Sequence, residues 1–255
     1  MAAEASALKW VLKRDRRIVV GGLGAVIAAS WAYVLAGAGV NMSMPPAAWA
    51  PGYFLLVLVM WWVMMVAMML PSAAPMILLF AALNRKQGNG LDVGAGGAAV
   101  PVGFFVAGYG VVWGGFSVLA AALQWGLDGL ALLTPMMAGV GVPLGAGLLI
   151  AAGVYQLTPL KHACLRHCRS PIQFLGARWR PGGRGALAMG LEHGLYCLGC
   201  CWVLMGLLFY GGVMNPLWIG GLALYVLAEK LAPAGHWIGG FGGGALILWG
   251  AALLV

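Results

Sequence analysis

An imidazole and three thiols recur along one apolar run of this chain, at His193, Cys197, Cys200 and Cys201, with the carboxyl group of Glu192 next to them. Residues three and four apart share a helical face, so a helix here presents these four side chains as one stripe over about three turns. Glu192 falls about 100° around the axis from His193, with Tyr196 one turn further along its own side. Ionisable groups in hydrocarbon cost at least ~2.5 kcal/mol and are normally retained for function. One buried Cys reads as a small hydrophobe, and one buried His as a satisfied hydrogen bonder. Taken together with the glutamate they point to metal or redox chemistry.

A second apolar run carries Met60, Met64 and Met68 in one helical row and Met65 and Met69 in the adjacent row. A methionine stripe alone reads as core packing. Thioether, thiolate and imidazole together are the soft donors that select Cu(I) over Mg or Ca. His193, Cys197, Cys200, Cys201, Met64, Met65, Met68 and Glu192 are therefore the candidate metal ligands. Pro71 and Pro75 close the methionine run. They remove backbone donors and are expected to kink or break the helix, and broken helices at membrane depth often line cavities.

A third cluster holds Tyr155, Gln156, His162, Cys164, His167 and Cys168. A continuing helix would set Cys164 and Cys168 on one face, as a metal relay, a dithiol pair or part of an interfacial helix meeting anionic headgroups. Its C-x3-C spacing is too compact to close a tetrahedral zinc site alone. His162, Cys164, His167 and Cys168 are the candidate secondary site. Glu229, Gln156 and Tyr155 are the candidate proton or polar group. Glu229 precedes Lys230, which suits either a snorkelling pair or an inward-facing carboxyl approaching Glu192 and Gln156.

The elements that must position these groups are membrane helices. The 255 residues are 63% hydrophobic and 8% charged, with mean hydropathy +0.95, against roughly 25% charged in a soluble domain. Seven apolar runs are long enough to consider, at about 18–40, 53–80, 98–123, 137–160, 187–210, 215–230 and 236–254, given about 20 residues per span. The sixth is short and the seventh rich in glycine, so six spans is the alternative. The expectation is an all-α polytopic protein forming one integral membrane domain over residues 1–255.

The fourteen Lys and Arg give a net charge of +8. They fall before the first run, after the second, between the fourth and fifth, and at the end of the sixth, and none lies in 41–52, 124–136 or 211–214. By the positive-inside rule the basic tail 1–17 and the loop 161–186 are cytoplasmic. The expected location is a bacterial inner membrane. This dispersal explains the charge better than a nucleic-acid surface does. Trp49, Trp125, Trp179, Trp218 and Trp237 suit interfacial anchoring. Five cysteines, an odd count partly inside apolar runs, argue against a secreted disulfide framework.

Met64-Met65-x-x-Met68-Met69-x-Pro71, Tyr155-Gln156-x-x-Pro159-Leu160-Lys161-x-x-Cys164-x-x-x-Cys168-Arg169-Ser170-Pro171, His193-Gly194-x-x-Cys197-x-Gly199-Cys200-Cys201-Trp202 and Glu229-Lys230 together resemble a bacterial family called domain of unknown function 2182, described as predicted metal-binding integral membrane proteins. The resemblance covers nearly all the chain after the first run. It implies a polytopic helical fold and a metal site at those Cys, His and Met positions, and it supplies no reaction.

Three functions follow as expectations. The first is handling of Cu(I), by transport or by delivery to a membrane enzyme, with Cys164, Cys168 and His162 as the cytoplasmic access point. Nothing resembles a P-loop, so movement would be passive, proton-coupled through Glu192 and Glu229, or driven by a partner. The second is a membrane thiol-disulfide oxidoreductase using Cys197-Leu198-Gly199-Cys200. Its two cysteine pairs would lie about 15 Å apart in depth unless the loop folds back. The third is a non-catalytic subunit or assembly factor of a larger membrane complex, whether with a membrane-protein partner or as a homo-oligomer. Iron or zinc are the alternative metals, with Glu192, His193 and Glu229 as ligands.

Overall fold

The computed structural model describes residues 2–38, 51–87, 99–133 and 139–255. Trp49 and parts of the connectors 41–52 and 124–136 lie outside the described residues, as do the ends of three of the apolar runs. Among the described residues ten helices follow in order: α1 (Ala2–Leu35), α2 (Pro51–Gln87), α3 (Ala99–Gly129), α4 (Val142–Gln156), α5 (Pro159–Arg169), α6 (Pro171–Arg178), α7 (Gly182–Gly206), α8 (Leu208–Gly211), α9 (Pro216–Leu231) and α10 (Gly235–Ala252). Among the described residues four helices are long and apolar enough to cross a membrane, within α1, α2, α3 and α7 continued by α8. The bent pair α4–α5 adds a fifth if taken as one span. Helices also stand at the sixth and seventh apolar runs, with 16 and 18 residues.

Proline and side-chain caps set the breaks. Thr158 precedes Pro159 and takes an extended backbone, ψ 146°, while its hydroxyl accepts from the Lys161 N–H. A residue before proline is pushed out of the helical region, so the chain bends by 65° between α4 and α5. Cys164 and Cys168 thus share one helix, α5, which is set off from α4 by the corner. Asn215 caps α9 by accepting from Leu217 and Trp218 N–H, with Pro216 in the first turn, where a missing donor is harmless. In contrast α2 stays helical through Pro71 and Pro75, so the methionine run is not broken there.

Glycines set the closest approaches. A Cβ at Gly190 would lie 2.0 Å from the Phe105 carbonyl oxygen, which locks α7 against α3. One at Gly243 would lie 2.9 Å from the Gly153 carbonyl oxygen, so the glycine-rich α10 is held tightly on α4. Small residues allow such contact in apolar surroundings. The core between α2, α3, α7 and α9 buries Trp61, Trp113, Phe80 and Phe105 with the methionines of α2. The loop 161–186 is not an open connector, since α5 packs along α7 and α6 reaches α2.

Candidate functional site

The α7 stripe faces inward as its spacing requires, with His193, Cys197, Cys200 and Cys201 all buried. Glu192, one residue off that face, makes an ion pair with Arg178 of α6 and is away from the thiols. Because α5 packs back along α7, Cys168 lies close to Cys197 and Cys200. Cys201, buried on the same face of α7, is close to the same two. Four thiols from two helices, α5 and α7, thus form one cluster. Cys164 lies against the backbone of Gly199, where an added Cβ would sit 2.8 Å from its sulfur.

The remaining contacts come from α2, α3 and α9. Met69 Sδ lies 3.8 Å from Cys201 Sγ. Met64, Met65 and Met68 are fully buried in the same helix, but the thioether meeting a thiol in the described contacts is that of Met69. The Tyr109 hydroxyl stands 3.0 Å from Cys197 Sγ and donates to the Met69 carbonyl at 3.2 Å. Lys230 Nζ donates to Cys197 Sγ at 2.9 Å and to Ser72 Oγ at 3.1 Å. An ammonium touching a buried sulfur is the countercharge that a thiolate would need, and the thiolate is the metal-binding form of cysteine.

His193 sits in an aromatic cage of Phe105, Tyr109 and Phe174, with ring centroids 6.1, 5.8 and 5.6 Å away. Its Nδ1 is buried with no hydrogen-bond partner among the described residues. Buried polar atoms are nearly always paired, so this nitrogen is an open donor position one turn from Cys197. Among the described residues, no three His, Cys, Asp or Glu groups are arranged to hold a metal ion as they stand. Cys200 and Cys201 instead both donate to the Cys197 carbonyl at 3.0 Å. Capturing an ion therefore requires those thiols to rotate off that carbonyl.

The other sequence candidates are distributed around this cluster. His167 stacks on Tyr196 with centroids 4.1 Å apart, and its Nδ1 lies 2.9 Å from the Ala163 carbonyl oxygen. His162 is half-buried on α5 and takes part in none of these contacts. Tyr155 donates to the Gly199 carbonyl. Gln156 Nε2 donates to the Tyr225 hydroxyl at 2.6 Å, while its buried Oε1 has no partner among the described residues. Glu229 does not pair with Lys230. Its partner is Lys161, fully buried on the first turn of α5.

That ion pair is half of a clamp. At the other end of α5, the Arg169 guanidinium donates to the carbonyls of Glu229, Ala232 and Pro233 at 2.8, 2.7 and 2.9 Å. These are the last carbonyls of α9 and its exit turn, which lack partners inside the helix. Both ends of α5 are so fixed to α9, and the clamp seats Cys168 on the thiols of α7.

Met69, Ser72, Tyr109, Lys161 and Lys230 are the contributors that sequence reasoning did not assign to the site. Lys161 and Lys230 have the clearest signal, since each is charged at the edge of an apolar run, but their charge suits topology for both and, for Lys230, a snorkelling pair with Glu229. Tyr109 has no sequence signal of its own.

No curated protein and no solved structure matches the chain. A family model described as PpoB2, copper chaperone, matches residues 58–253, a stretch holding every thiol and thioether of the cluster as well as both buried lysines. By that match the chain belongs to the PpoB2 copper chaperone family.

Proposed function

We propose that the protein is a membrane-embedded carrier that takes up Cu(I) as cargo on the α5–α7 thiol cluster and delivers it to a membrane enzyme. The observation that carries this reading is the convergence of Cys168, Cys197, Cys200 and Cys201 beside the Met69 thioether, with an unpartnered His193 nitrogen one turn away. Soft sulfur donors suit Cu(I) over the harder divalent ions. Cys197 and Cys200 are the core ligands, Cys168 the exchangeable third, and Cys201, Met69 and His193 the flanking donors. Lys230 offsets the negative charge of a thiolate–Cu(I) complex in a medium of low dielectric. Cys164 and Cys168 on the half-exposed α5 give the ion a route to the cytoplasmic side.

In this reading the chain crosses the bacterial inner membrane up to seven times with its basic tail in the cytoplasm, in keeping with its long apolar helices and its loop charges. The test is metal analysis of the purified protein. Copper should co-purify, and Cys197→Ser should lose it. Protein carrying no copper above background, with the cysteine variant unchanged, would reject the proposal.

A second reading has its own observation. The nearness of Cys168 to Cys197 and Cys200 across two helices supports it, because a loop folded back in this way is what thiol–disulfide exchange would need. In that chemistry two thiols would form one disulfide, releasing two protons and passing two electrons to a membrane quinone or a protein disulfide. Alkylation trapping in cells separates the readings, because an oxidoreductase must cycle between two mobilities and a copper carrier must stay reduced.

A further inference from the structure

The stretch 161–186 contains six basic residues, Lys161, Arg166, Arg169, Arg178, Arg180 and Arg184, and no Asp or Glu. Two of the six are consumed by the clamp, Lys161 by Glu229 and Arg169 by the carbonyls at the end of α9. Arg166 of α5 and Arg178 of α6 have a different fate. They line one cavity of about 370 Å³ together with His167, Ser170, Gln173 and Phe174. The polar groups here are mostly donors: two guanidinium forks, a hydroxyl, a side-chain amide and an imidazole. The carboxylate that reaches this corner is Glu192, paired with Arg178. Two guanidinium charges against one carboxylate leave a net positive charge in a recess large enough for a small anionic group.

Guanidinium forks match the paired oxygens of phosphate. A large apolar side chain beside the cavity favours a phosphate attached to a lipid. Ile172, next to the cavity residue Gln173, is 75% exposed. An exposed apolar residue next to a cationic recess is the arrangement of an interfacial segment that meets headgroup and acyl chain together.

We infer that the Arg166–Arg178 cavity between α5 and α6 binds the phosphate of an anionic lipid headgroup on the cytoplasmic side of the membrane. The inference rests on the membrane placement proposed above. A bound phosphate would share Arg178 with Glu192, so the carboxylate competes with the lipid for the same cation.

The test is thermal unfolding of the full chain in a neutral detergent, titrated with phosphatidylglycerol, with phosphatidylcholine, or with inorganic phosphate. Phosphatidylglycerol should raise the midpoint by roughly 4 °C or more and phosphatidylcholine should not. The Arg166→Gln/Arg178→Gln variant should lose the rise while keeping its copper content, and Glu192→Gln should enlarge it. An equal rise with phosphatidylcholine, or an undiminished rise in the double variant, overturns the inference. Inorganic phosphate matching phosphatidylglycerol overturns the lipid source. A chain recovered outside the membrane fraction would defeat the placement itself, a result separable from loss of the lipid effect in an integral protein.

Discussion

Two lysines are buried among the described residues, and their surroundings differ. Lys161 sits wholly inside, and its ammonium meets the Glu229 carboxylate. Lys230, 6% exposed, follows Glu229 in the chain, yet one residue of helix turns it about 100° away, toward Cys197 and Ser72. The first cation is fully answered by an anion, which makes a closed structural contact. The second is answered by a hydroxyl and a sulfur, and becomes fully balanced only when that sulfur carries charge. One lysine therefore holds α5 in place, and the other stands where thiolate chemistry would occur.

Removing the partner of a buried charge is the severest way to break this contrast. Lys161→Met should destabilise the fold by about 3–5 kcal/mol, because Glu229 is left uncompensated, and Lys161→Met/Glu229→Leu should recover much of that. Urea unfolding in detergent measures both. Gly239→Ala comes next, since the new Cβ would lie 2.5 Å from Glu229 Oε1. A loss of about 1–3 kcal/mol is expected as the pair is pushed apart, read by the same denaturation.

The thiol side should respond more in chemistry than in stability. Lys230→Met should weaken Cu(I) binding about tenfold, or about 1.4 kcal/mol, measured by competition with a Cu(I) chelator. Its denaturation midpoint should shift less than that of Lys161→Met, and an equal shift would erase the distinction between the two lysines. Tyr109→Phe should have the smallest effect, about 1 kcal/mol for the hydroxyl contacts to Cys197 and the Met69 carbonyl, seen as a small fall in thermal midpoint.

How much of this was legible in the residues follows from what acts within one helix and what acts between helices. The stripe His193, Cys197, Cys200 and Cys201 is buried together, and Glu192 is turned aside, as a helical period dictates. The corner at Thr158 is written in Pro159, close to where the fourth apolar run ends. Contacts between helices were hidden, because the rotation of each helix is set by its neighbours. That the Met69 thioether lies 3.8 Å from the Cys201 thiol could not be read from the methionine run for that reason. The return of α5 onto α7, which joins the two cysteine groups, depends on Lys161 and Arg169 docking to α9. Both residues had been counted among loop charges, a role that composition cannot separate from a buried ion pair.

X-ray absorption on copper-loaded protein tests the central claim most directly. The account predicts Cu(I) in a sulfur-dominated shell, with metal–sulfur distances near ~2.3 Å and fewer sulfur neighbours in Cys168→Ser. A shell of nitrogen and oxygen donors, or a sulfur count untouched by loss of Cys168, would contradict it.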